Sequence, residues 1–235
     1  MMKLRRAFVL SIVLAGCTSY VTPGGPASIP AMTDADVAEA LSRQPAAQFP
    51  VRLAIARVQA SGYASATSEG YGAGRYSVVT QRDIETEADF QRFAGLAGVA
   101  GVAPLGRILL PSSLQSAREL RTAAAQLRAD MVFVYTLDTS FRTDTTTIGP
   151  LQVISLGLFP NRKARVSATC SGAFIDVRTG YVYGTVEKTA VREQRSDVWG
   201  TREAIDKARR EAEREAFLAM LGEIESFWPS LLGTK

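Results

Sequence analysis

The chain has no histidine and only two cysteines, Cys17 and Cys170. The first absence removes every nucleophile triad that relays a proton through imidazole. With one spare thiol it also removes the usual histidine- and cysteine-based zinc sites. Carboxylates remain, but nothing in the sequence forces Asp138, Asp176 or Glu187 into the paired geometry of a hydrolase. They read as caps, turns and surface charges. No catalytic residue, metal ligand or cofactor is expected, and the chain is not expected to be an enzyme. An excess of one charge is missing too. Lys+Arg number 27 and Asp+Glu 23; without Lys3, Arg5 and Arg6 the basic count is 24. That near balance gives no case for a nucleic-acid partner. A membrane-spanning run is absent as well, because the apolar stretch Ala7–Ala15 has nine residues where a bilayer needs about 20.

What the N-terminus does have is a basic leader, that short apolar run, and the ending Leu14-Ala15-Gly16-Cys17. This is the layout of a secretion signal. The ending resembles the lipobox of bacterial lipoproteins, which implies acylation of the Cys17 thiol, cleavage before it and acylation of the new amine. Two or more acyl chains hold a protein stably to a bilayer, where one holds it only marginally. Thr18, in place of the aspartate that resembles an inner-membrane retention signal, points to the outer membrane. Residues 1–16 are thus expected as signal peptide, 17–32 as a lipidated tether rich in Pro, Gly and Ser, 33–228 as one periplasmic α/β domain and 229–235 as a tail.

Acylation of Cys17 would leave Cys170 without a partner for a disulfide. In Val166–Phe174 the period-two alternation puts Cys170 on the face of Val166, Ala168 and Phe174, so a buried, inert thiol is expected. Gly70-Tyr71-Gly72-Ala73-Gly74 superficially resembles a nucleotide fingerprint. A phosphate loop, however, leads into a helix, and here Tyr76–Thr80 reads as strand. A surface loop over 60–75 is the reading.

Hydrophobic periodicity orders the rest. A helix starts at Thr33-Asp34-Ala35-Asp36 with Val37, Ala40 and Leu41 at helical spacing, and ends at Gln44-Pro45. Val51–Gln59 lacks a wet face and reads as a strand interior to a sheet. A helix over Glu85–Leu96 follows, then a glycine-broken stretch, then Arg107–Leu110 as a short strand or connector. A helix beginning at Ser112 or Ser113 carries Leu114, Ala117, Leu120, Ala124 and Leu127 as one stripe. Met131–Leu137 is apolar on both faces and is expected to form the deepest core. From Asp138 the chain turns polar. Arg165–Asp176 and Tyr181–Arg192 form a long hairpin through Gly180, and a final helix from Arg202 ends at Trp228-Pro229. The fold class predicted is α/β, with an α+β variant open: a mixed β-sheet with a long hairpin in the C-terminal half, packed by helices.

This order of elements behind a lipobox resembles the α/β domain of curli-secretion lipoproteins, of lipoprotein activators of penicillin-binding proteins, and of the amino-terminal domain of the Tol-Pal translocation protein. The local phrasing Tyr76–Arg82 and Ala129–Val134 carries the likeness, over roughly residues 33 to 228. It implies a noncatalytic envelope protein that assembles with itself or docks on an envelope protein partner. Its membrane contact would be lipid, through acylated Cys17. The alternative it implies is a subunit of an oligomeric outer-membrane pore or secretion complex. Pore-forming members would insert strands near Thr145–Phe159, which here offers one short apolar run. The interaction surface is expected at Leu151, Val153 and Leu156 with the basic residues Arg162, Lys163 and Arg165, an apolar patch rimmed by charge.

Overall fold

The computed structural model describes residues 34–145, 162–195 and 202–233. Its sheet is built outward from β1 (Val51–Ala60), in which every residue from Leu53 to Gln59 is buried. One edge of β1 pairs in parallel with β7 (Met131–Thr145), Leu53 opposite Met131. The other edge is shared. β5 (Val99–Pro104) runs parallel along its first half, and β4 (Tyr76–Val79) antiparallel along its second. Beyond β7 the chain meanders through β8 (Arg162–Asp176) and β9 (Val182–Arg195), and β2 (Gly70–Tyr71) closes the opposite side. The order is β2-β4-β1-β7-β8-β9, with β5 beside β1. β3 (Ala73–Gly74) and β6 (Ser113–Leu114) form a separate parallel pair. The fold is therefore α/β with a mixed sheet and a long hairpin, as the sequence predicts.

Period-two alternation assigns the two faces. Phe133, Tyr135 and Leu137 face α4 (Arg202–Leu232), which buries Ala212, Ala216, Phe217, Met220 and Ile224 against them. The Phe133 ring lies 4.5 Å from that of Phe174 and 5.5 Å from that of Phe93. A Cβ added at Gly172 would meet the Phe133 ring, so the glycine is what lets β8 pass under it. Phe93 belongs to α2 (Glu87–Ala94), capped at Thr86 by a reciprocal box with Asp89. On the other face, α3 (Ala117–Gln126) packs Leu120, Ala123 and Ala124 over Ala54, Ala56 and Val132.

Several boundaries differ from expectation. The polar stretch after Asp138 continues β7 to Thr145: Thr139 and Phe141 are buried while Asp138 and Ser140 are exposed. A strand wet on one face only carries this composition. The glycines after Leu96 flank and enter β5, whose ladder to β1 outweighs glycine's poor strand propensity. Residues Arg107–Leu109 are a single 3₁₀ turn. The third helix starts at Ser116, whose Oγ accepts from Arg118 N, because Leu114 is taken into β6. Two short strands lie within the expected 60–75 loop.

Pro229 does not end α4. Trp228 is buried, its indole Nε1 donates to the Ala97 carbonyl at 2.8 Å, and its ring stands 5.9 Å from Phe49. Tertiary packing thus carries the last turn past the missing N–H. At the other end, α1 (Asp34–Ser42) forms where predicted, but of its apolar stripe only Ala40 is half-buried, while Val37 is 44 % and Leu41 79 % exposed. The chain is fastened just after it, where the Asp176 carboxylate accepts from Ala46 N (2.7 Å) and Ala47 N (2.9 Å).

Candidate functional site

Arg162, Lys163 and Arg165 occupy the first four residues of β8, and strand pairing adds company that spacing could not reveal. On β7, Arg142 stands opposite Arg165 and Asp144 opposite Lys163. On β9, Glu193 stands opposite Arg165 and Arg195 opposite Lys163. The register therefore sets Arg142 beside Arg165 and Lys163 between Asp144 and Arg195, at positions two residues apart along β8. The Arg165–Glu193 contact, 4.0 Å and exposed, contributes at most a fraction of a kcal/mol. Cys17, Leu151, Val153 and Leu156 lie outside the described residues.

The buried polar residues are concentrated elsewhere, under the α4 side of the sheet. Arg57 of β1 donates to Asp83 at 2.7 Å and to the Tyr63 hydroxyl at 3.3 Å, with Glu85 at 3.6 Å and Glu213 at 3.8 Å. Arg209 of α4 donates to Glu213 (2.6 Å), Asp206 (2.9 Å) and Asp83 (3.2 Å). Thr67 donates to Asp83, Thr139 to Glu213, and Tyr135 to Glu85. Burial works against the Arg57 charge, yet Glu85 and its other neighbours hold the guanidinium above its ordinary value. Burial also opposes ionisation of Asp83, but Arg57, Thr67 and Arg209 bring it down to about 2. Glu213 goes the other way. Burial raises it, and Arg209 and Arg57 do not fully compensate. Each carboxylate here is held by a cation or a hydroxyl, and together they tie β1, the 63–68 loop, the segment before α2, β7 and α4 into one network. The chemistry of the arrangement is cross-linking. Its members are distant in sequence and are polar residues inside apolar runs, so periodicity alone passes over them.

Cys170 is fully buried, as expected, 3.3 Å from the Met220 sulfur, and burial pushes its thiol up. Asp138 is exposed on β7, while Asp176 is buried and accepts from Arg178 N and Thr179 N in its own turn, besides Ala46 and Ala47. Glu187 accepts from Ser171 at 2.6 Å. Among the described residues, no group of three or more acidic or thiol side chains is placed to hold a metal ion.

α3 leaves part of its sheet face open. Between it and β7–β9 runs a groove of about 580 Å³. Its apolar surface is Val58, Val134, Ala173, Ile175 and Leu120, and its lining includes Arg75, next to β4, and Glu187 on β9. The volume falls within the range of ligand-sized clefts.

No family model matches the chain, and no curated protein matches it. Among solved structures it is similar to a PelC variant dodecamer from Paraburkholderia phytofirmans, with 14% identity, covering 77% of this chain and 94% of that one at a TM-score of 0.32. The dodecamer is a property of that protein, and superposition at this level transfers neither assembly nor activity.

Proposed function

We propose that the chain is a lipid-anchored, noncatalytic binding and assembly module of the outer membrane, acylated at Cys17 with its domain in the periplasm. The observation that carries this reading is the N-terminal sequence: basic leader, nine-residue apolar run, then Leu14-Ala15-Gly16-Cys17. Among the described residues no helix is long and apolar enough to cross a membrane. The interaction surface proposed is the distal end of the β7–β9 ribbon, where the register brings Arg142, Asp144, Lys163, Arg165, Glu193 and Arg195 to neighbouring positions, with Arg162 at the start of β8. The connecting residues Leu151, Val153 and Leu156 belong to the same proposal. A charged surface of this kind sets partner choice and encounter rate more than affinity.

A second reading, a subunit of an oligomeric pore or secretion complex, is favoured by the ribbon itself. β7 and β8 stay paired without interruption to Thr145 opposite Arg162, so the 146–161 segment joins two strands already in antiparallel register. Crosslinking in intact cells followed by mass spectrometry separates the two. A heterologous envelope partner, lost on Arg162→Glu/Lys163→Glu with folding intact, identifies the module. Rings of the chain with Leu151, Val153 and Leu156 in contact with lipid identify the pore subunit.

A further inference from the structure

α1 and the groove beside α3 are each incomplete alone. A helix of nine residues is marginal in water unless an apolar face is packed. Yet α1 presents Val37 and Leu41, four positions apart on one face, to solvent. The groove is the converse: an apolar sheet surface of Val134, Ala173 and Ile175, flanked by Leu120 of α3, with no second helix over it among the described residues. We propose that α1 of one copy of the chain lies in this groove of a second copy. The inference rests on the assembly reading above and names its partner.

Dimensions and charge agree. The groove runs from Arg75, next to β4, across β1, β7 and β8 to Glu187 on β9. Four strand-to-strand steps span about 19 Å. α1 is about 13 Å long before side chains are added, and it fits along that axis. Its acidic residues Asp36 and Glu39 lie in its first two turns, and Arg43 on its C-terminal flank pairs with Glu39 at 3.0 Å on an exposed surface where the pair can exchange partners. Laid with its N-terminus toward Arg75, it brings acid to base at one end and Arg43 to Glu187 at the other. In its own chain α1 is held outside the groove, where Ala46 and Ala47 are fastened to Asp176. The exchange can close as a two-fold pair or pass from copy to copy around a ring.

The test uses the full-length chain in membranes. Two differently tagged copies are co-expressed, one carrying Leu41→Cys and the other Thr185→Cys, at the rim of the groove. A disulfide joining the two tags is expected. With both substitutions placed in one chain, a disulfide that forms only within that chain places α1 in its own groove and overturns the proposal, as does the absence of a disulfide from both arrangements. A second measurement uses Leu41→Glu, which cannot disturb the core because Leu41 is exposed. It is expected to lower the copy-to-copy affinity about tenfold with an unchanged thermal midpoint, while Ile108→Glu, at an apolar residue 94 % exposed elsewhere, leaves it unchanged. Equal loss in both variants overturns the proposal. A wild-type monomer that still fractionates with membranes sinks this interface and leaves the anchored module standing. Wild-type chain found in the soluble fraction sinks the module reading.

Discussion

Arg57 and Asp83 meet at 2.7 Å inside the protein, with side chains 2 % and 6 % exposed, and so join the central strand to the segment that leads into α2. Removing one partner of a buried pair leaves the other charge unsatisfied, which costs about 3 to 5 kcal/mol. Asp83→Asn is therefore expected to lower the thermal midpoint sharply. Chemical denaturation at pH 7 is the measurement.

The same network sets the acid limit of stability. The Asp83 pKa is depressed to about 2, below its unfolded value, so its contribution is present above pH 4 and is lost as pH falls through 2. At neutral pH that contribution is about 2 kcal/mol. Glu213 is shifted up, so its contribution is present below its unfolded value and lost as pH rises. Glu213→Gln mimics the neutral carboxyl and is expected to cost less at pH 7 than Asp83→Asn, with the gap narrowing toward pH 2. Unfolding free energies across pH 2 to 7 check the order, and a larger loss for Glu213→Gln at pH 7 contradicts it.

Phe133→Ala empties the space between α4, Phe93 and Phe174. It is expected to cost about 3 to 5 kcal/mol, enough to unfold many domains of this size. An unchanged midpoint would place the core elsewhere.

Cys17→Ser is expected to abolish incorporation of a palmitate analogue and to release the chain from membranes as uncleaved or soluble material. Wild-type chain that takes up no label removes the anchor from the proposed function.

Strands with two apolar faces were legible because no competing pattern fits them: Val51–Gln59 and Met131–Leu137 became the buried centre of the sheet. The β8–β9 hairpin was legible from alternation about Gly180, which adopts φ +76. Elements held by partners far along the chain were not. β5 owes its strand to β1, the last turn of α4 to Trp228 in its pocket, and the second half of β7 to β8. The site was legible only as composition. Arg162, Lys163 and Arg165 read as a basic run, whereas Arg142 and Arg195 join them only through pairing register.

The parallel pairing of β1 with β7 joins Leu53 to Met131, whereas β8 and β9 are joined by a turn at residues 177–181. Closing a long loop costs entropy before any contact rewards it, and a hairpin closes within microseconds. Loop-closure entropy thus predicts that the β8–β9 hairpin and its helix form first and that β1 completes the sheet later. For a chain threaded N-terminus first across a membrane, that order means the strand to emerge earliest waits longest for its partner. On the proposed export route, the apolar run Val51–Val58 would depend through that wait on whatever shields it during transit.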